Sequence, residues 1–181
     1  MAEKREEIIQ TATEMIRTGG YNAFSFREIA ESVNVKSSSI HYYFRRKEDL
    51  AFVVAERYRE DFFQVLGPAS VAGKSPRDQF LRYGEVYLKS FESSGKACLF
   101  GILSHESPAL PEPVISEVER FIDANITWLK ETLAGSHLSD TESIARLAYS
   151  GMEGAMGVAT LKSDPSWLVN AREQIARLFP D

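Results

Sequence analysis

Residues 25–44 read SFREIAESVNVKSSSIHYYF. Ser25 followed three residues later by Glu28 is a capping box, so the spacing predicts a short helix over 26–33. Asn34 comes next, one of the few side chains that tolerate a left-handed backbone. A second short helix is predicted over 37–43, and two short helices around a tight turn make a helix-turn-helix unit. Ala30 is small where the two helices must approach, and Ile40, ten residues on, packs back against it. Ile29, Val33, Val35 and Phe44 complete a miniature core. The face left outward carries Lys36, Ser37, Ser38, Ser39, His41, Tyr42 and Tyr43, all able to meet phosphates or base edges. An ordinary solvated helix mixes Glu with Lys. Here no acid occurs from Ser32 to Lys47, and Lys36, Arg45, Arg46 and Lys47 read as an unpaired basic run.

Working outward, apolar residues keep recurring at helical spacing: Ile8, Ala12 and Met15, then Leu50, Val54, Tyr58 and Phe62. Longer stripes run through Ile115, Val118, Ile122, Ile126, Leu129 and Leu133, and through Ile144, Leu147, Gly151, Met152, Ala155 and Ala159. Glycines and prolines cut the chain into pieces of helix length. The predicted helices cover 3–18, 26–33, 37–43, 47–66, 76–93, 96–106, 112–134, 140–163 and 166–178. No stretch alternates with a period of two, so the fold class is all-α with about nine helices.

The 181 residues suffice for one or two small domains, and 44% hydrophobic with 26% charged residues is ordinary globular composition. Cys98 is the only cysteine, which excludes an intrachain disulfide and a multi-cysteine zinc site and suits a reducing compartment. The longest apolar run, Ala97 to Leu103, is far short of the ~20 residues of a spanning helix. The charged start MAEKREE shows no secretory signal, so a soluble cytoplasmic protein with no membrane partner is expected. Catalysis finds no foothold. His41, His105 and His137 are scattered without metal-ligand spacing, and no glycine-rich phosphate loop occurs. Ser104-His105-Glu106 holds the atoms of a triad, but consecutive helical residues diverge. No enzyme activity, metal or cofactor is expected.

Residues 5–55 resemble the DNA-binding domain of the TetR (tetracycline repressor) family of bacterial transcriptional regulators. The resemblance rests on Gly20-Tyr21, on Phe26-Arg27-Glu28-Ile29-Ala30, on Ser39-Ile40-His41-Tyr42-Tyr43-Phe44, and on Lys47-Glu48-Asp49-Leu50. Four positions depart from the family's habit. Asn34 replaces the usual turn glycine, Lys36 precedes Ser37 where the order is commonly reversed, His41 stands for a frequent Tyr, and Arg46 for a small cap residue. An operator sequence therefore does not carry over.

The resemblance implies a helix-turn-helix domain over 1–46 and an effector-binding and dimerisation domain over 47–181. It implies backbone contacts from Ser25 and Arg27, and phosphate contacts from Tyr42 and Lys47. Lys36, Ser37, Ser38, Ser39 and His41 would enter the major groove, with Lys36 suited to a guanine edge and His41 to a thymine methyl or a base contact. Ser37 reads equally as a helix cap. Tyr43 reads equally as packing beside the first helix.

A helix-turn-helix protein usually binds as a dimer. Gly151, Gly154, Ala155, Gly157 and Ala159 permit close helix approach, and Leu168, Ala171, Ile175 and Leu178 form a matching stripe. These either complete one chain's core or make a homodimer, and the dimer is favoured because a slender helical chain gains much by burying them. Segments 76–93, 96–106 and 112–134 would enclose a small-molecule effector. Phe80, Tyr83, Tyr87, Phe91, Phe100, Phe121 and Trp128 are its candidate lining, although aromatic stripes are also plain core. The tyrosines are the stronger candidates, since a buried hydroxyl needs a partner. Cys98, placed at the opening of segment 96–106 near Lys96, is either a reactive sensor or a small buried side chain. The expectation is a repressor released from a palindromic double-stranded operator by an apolar or reactive effector. The alternative is a helical interaction module whose helix-turn-helix is merely structural, against which the basic run speaks.

The formal net charge of −5 would on its own argue against a nucleic-acid partner. The distribution removes the objection. Residues 1–50 carry eight basic and eight acidic side chains, while residues 51–181 carry 13 and 18. Weak non-specific DNA binding with a shallow salt dependence is expected.

Overall fold

The computed structural model describes residues 2–181, with side chains from residue 3 onward. Among the described residues there are ten α-helices and no strand, as an all-α chain requires. They are α1 (Ala2–Gly19), α2 (Phe26–Ser32), α3 (Ser37–Tyr43), α4 (Lys47–Leu66), α5 (Ala69–Ala72), α6 (Pro76–Ser94), α7 (Leu99–His105), α8 (Glu112–Thr132), α9 (Thr141–Lys162) and α10 (Ser166–Ala176). Two 3-10 turns, Tyr21–Ala23 and Ser107–Ala109, lie between them. The tenth helix beyond the nine predicted is α5, a single turn after Pro68.

Local chemistry sets the boundaries. Ser25 Oγ accepts from the Glu28 amide at 3.3 Å, Ser75 Oγ from Asp78 at 3.2 Å, and Asp140 from Ser143 at 3.1 Å. Caps of this kind contribute about 1 kcal/mol each. Arg46, ahead of α4, has no oxygen to offer, and Asp49 compensates by accepting the Arg46 amide at 2.9 Å. Gly95 closes α6 with φ of 66°, and residues 96–98 are not helical. Cys98 therefore precedes α7 instead of lying in its first turn. At the other end α10 stops at Ala176, which leaves Leu178 outside the helix and exposed.

The chain forms two compact units, Met1–Arg59 with Leu99–Glu119, and Glu60–Cys98 with Arg120–Asp181. In the first, Ile8, Ile16, Ile29, Ile40 and Leu50 are fully buried. The Arg17 guanidinium of α1 lies 5.7 Å over the Tyr58 ring of α4, which meets Phe100 of α7 edge-on at 5.9 Å. The Glu117 carboxylate, fully buried, is matched by Arg59 at 3.0 Å. In the second unit, α6, α9 and α10 pack together around Phe80, Tyr83, Tyr87 and Leu168. Phe179 stacks on Phe80 at 4.6 Å.

Two helices bury faces that differ from the stripes read from sequence. In α8 Val118 and Leu129 of the expected stripe are buried, as is Leu133 just beyond the helix, but Ile115, Ile122 and Ile126 are half-buried, and the buried face widens to Val114, Glu117, Phe121, Asn125, Trp128 and Thr132. The polar members are tolerated because each finds a partner, which hydrophobicity alone cannot foresee. In α9 the core side is Ala145, Ala148, Met152, Met156 and Ala159, and Leu147 lies 55% exposed. That helix is apolar on both faces, so periodicity cannot choose between them.

Candidate functional site

The turn between α2 and α3 is built as its residues require. Asn34 adopts a positive φ of 53°, and the Val35 amide reaches back to the Ala30 carbonyl at 2.9 Å. Ala30 and Ile40 are buried where the helices meet. Lys4 of α1 donates to the Val33 carbonyl at 3.3 Å, holding the end of α2. With Ile40 and Phe44 inward, α3 turns Lys36, Ser37, Ser38, His41 and Tyr42 to solvent, Tyr42 at 73% exposure. Ser39 and Tyr43 are half-buried. Lys36 occupies the cap position without a side-chain bond, and Ser37 is the first helical residue, so the capping role falls away for Ser37. The His41 ring rests edge-on against Phe26 at 4.9 Å, and Tyr42 against Tyr43 at 5.1 Å, which limits their swing.

Supporting residues flank this face. Ser25 is engaged at the cap of α2. Arg27 pairs with Glu31 at 2.9 Å, but both are well exposed and such a pair is readily exchanged for another anion. The basic run is not unpaired throughout. Arg46 is held by Glu48 and by Asp49, because the first turn of α4 places both acids beside it. Among the described residues Lys36 and Arg45 have no acidic partner. Lys47 is held differently, its ammonium 4.5 Å from the centroids of both Tyr21 and Phe24. Burial lowers its pKa, an effect opposed by the charges of Glu28 and Glu106. In the sequence Glu106 stood out only as the end of Ser104-His105-Glu106, yet its carboxylate accepts the Tyr21 amide at 2.7 Å. No local spacing joins positions 85 residues apart.

The candidate effector residues fall into two places. Tyr83, Tyr87, Phe91, Phe121 and Trp128 are buried in the second unit. Tyr83 donates to Asn125 Oδ1 at 2.8 Å, Tyr87 to Glu153 at 2.9 Å, and the two hydroxyls lie 3.3 Å apart. Trp128 Nε1 donates to the Gly67 carbonyl at 2.8 Å. Phe62 meets Tyr87 at 5.6 Å and Phe121 at 5.1 Å, edge-on to both. Burial pushes the Tyr83 and Tyr87 hydroxyls well above the ordinary tyrosine pKa, with Glu153 adding to it. Phe100 is elsewhere, against Tyr58 in the first unit. Cys98 is 3% exposed, which fits the buried-core alternative. Asn125 and Glu153 were missed. A polar residue four positions from both Phe121 and Leu129 was the available signal for Asn125.

The residues read as a dimer surface also divide. Leu168 is completely buried within the single chain. Ile175 occupies the space beside Gly151, where a Cβ would come within 2.6 Å of its Cδ1. Those three serve the packing of α10 on α9. Gly154 faces open space, and with Ser150, Gly151, Ala155, Val158 and Ala171 it lines a groove edged by the exposed Trp167, so Gly151 borders both the groove and Ile175. Leu161, at 81% exposure, lies on the same helix.

Among the described residues no helix is long and apolar enough to cross a membrane, and no cluster of three acidic, histidine or cysteine side chains is placed to hold a metal. The arrangement of α1 to α3, with an outward face of small polar and basic groups, defines a helix-turn-helix DNA-binding regulator. Residues 8–54 match the family model of bacterial regulatory proteins, tetR family. A TetR transcriptional regulator from Legionella pneumophila is 30% identical, with 97% of each chain covered and a TM-score of 0.90. The transcriptional regulator AcuR of Cereibacter sphaeroides is 26% identical over 96% of this chain and 84% of its own. The fold is shared with a TetR-family regulator from Agrobacterium tumefaciens, 23% identical with 99% of each chain covered and a TM-score of 0.92. The chain belongs to the TetR family of transcriptional regulators.

Proposed function

We propose that this regulator is a cytoplasmic homodimeric repressor that leaves a palindromic operator when a small molecule binds it. The division of labour follows residues 1–46, joined by Lys47 at the head of α4, for DNA, and the remainder of 47–181 for effector and partner. The observation that carries the DNA half is the outward face of α3. Lys36, Ser37, Ser38 and His41 are exposed on it while Ile40 anchors the opposite side. Lys36 reads a base edge, Ser38, Ser39 and His41 line the major groove beside it, and Tyr42, Lys47, Ser25 and Arg27 hold the backbone. Two copies of α3 then sit one turn of B-DNA apart, about 34 Å, or a multiple of it.

The dimer half is supported by the open groove at Gly154 with Trp167 at its edge, since a knob and a hollow on one chain suit a two-fold pairing. The effector half is supported by the aromatic and hydroxyl cluster of Tyr83, Tyr87, Phe121 and Trp128. Release requires an effector with different affinity for two settings of α4, so that the spacing of the α3 copies changes. Selection of bound duplexes from a random pool is the test. A recovered palindrome with half-sites one turn apart supports the reading, and recovery of no preferred sequence overturns it.

A further inference from the structure

Glu106 lies outside the helix-turn-helix, directly after α7, yet its carboxylate is built into the DNA-binding unit. Its Oε2 accepts the Tyr21 amide at 2.7 Å. The neighbouring Gly20 has φ of 84°, and a Cβ there would fall 2.1 Å from the other carboxylate oxygen. The glycine thus provides both the left-handed turn and the space for the acid. The turn so fixed, Tyr21–Ala23 with Phe24, presents two rings to the Lys47 ammonium, 4.5 Å from each centroid. The Lys47 side chain is therefore located by the rings, and the rings by Glu106.

We infer that Glu106 is a positioning residue for DNA binding, acting through the Tyr21–Phe24 turn to hold Lys47 where a phosphate meets it. The inference rests on the phosphate role of Lys47 proposed above. Two effects of removing Glu106 compete. Glu106 is half-buried, so loss of its negative charge favours any DNA sequence by an effect that salt screens only in part. Loss of a prearranged phosphate contact disfavours DNA by an amount similar to losing the lysine, and this effect dominates.

The experiment is a double-mutant cycle of Glu106→Ala and Lys47→Ala, titrated against a selected duplex and a scrambled one. Glu106→Ala is expected to weaken both duplexes about three- to tenfold and to reduce the salt slope by about one. In the Lys47→Ala background the same change is expected to do almost nothing. Glu106→Gln, which keeps an acceptor for the Tyr21 amide, is expected to fall between and serves if the alanine variant does not fold. Equal weakening in both backgrounds would show a general structural role and overturn the inference. So would unchanged or tighter binding by Glu106→Ala. If Lys47→Ala itself leaves binding unchanged, the phosphate role fails first and takes the positioning role with it.

Discussion

The Tyr83 hydroxyl donates to Asn125 Oδ1 across 2.8 Å, and both side chains are fully buried. Asn125 is fixed from its other end as well, where Nδ2 donates to the Phe121 carbonyl at 2.7 Å. Tyr83→Phe removes the donor but not the acceptor, leaving a buried carbonyl oxygen without that bond. The expected cost is about 1–3 kcal/mol. Urea or thermal unfolding reads this as a lower midpoint with an unchanged slope. A midpoint equal to that of the parent would show that the hydroxyl contributes nothing there.

The same cluster dictates behaviour at high pH. Tyr83, Tyr87 and Tyr149 are all pushed above the ordinary tyrosine value, chiefly by burial and further by Glu153. A folded-state pKa above the unfolded one favours the neutral, folded form below about pH 10. That contribution is lost as pH rises beyond 10, because the unfolded chain then releases protons that the folded chain retains. Unfolding midpoints measured from pH 8 to 11 are expected to hold steady and then fall. Tyr87→Phe is expected to flatten the fall, and an equally steep fall would assign it to other groups.

What the sequence disclosed depended on how far apart the interacting residues lie along the chain. The turn at Asn34, the cap at Ser25 and the inward set Ile29, Ala30 and Ile40 act over eleven positions or fewer, and spacing alone located them. Of the α8 stripe, Val118, Leu129 and Leu133 were legible, but the part of the buried face that holds Glu117 and Asn125 was not. Their partners are Arg59 and Tyr83, 58 and 42 residues away. The contact of Glu106 with Tyr21 escaped for the same reason. Gly151 and Gly154 look alike in sequence, and only the position of Ile175 separates them.

Lys36 and Lys47 divide the tasks of specificity and attachment. Lys36 is exposed at the start of α3 with no acidic partner among the described residues, so nothing inside the chain competes for it. Lys36→Ala is expected to cost about 1–3 kcal/mol on the selected duplex and to relax the preferred base at one position. Lys47→Ala is expected to weaken selected and scrambled duplexes alike. Fluorescence titrations against both duplexes at two salt concentrations separate the outcomes. Uniform weakening by Lys36→Ala would move it from the base edge to the backbone.

Gly151 and Gly154 make the sharpest contrast within one helix. A side chain at Gly151 collides with Ile175, whereas at Gly154 nothing lies within 4 Å of a Cβ. Gly151→Val therefore overpacks the contact of α9 with α10, at an expected cost of about 1–3 kcal/mol to the single chain. Gly154→Leu meets no such resistance, and replacing a mid-helix glycine favours the helix by roughly 0.5–1 kcal/mol. In a dimer built on that groove, however, the leucine fills the hollow meant for a partner's side chain. Light scattering is expected to show Gly154→Leu as a folded monomer with undiminished helical content at low micromolar concentration. Its operator binding is expected to fall steeply, because two half-sites are no longer engaged together. A Gly154→Leu protein that remains dimeric would place the partner on another face.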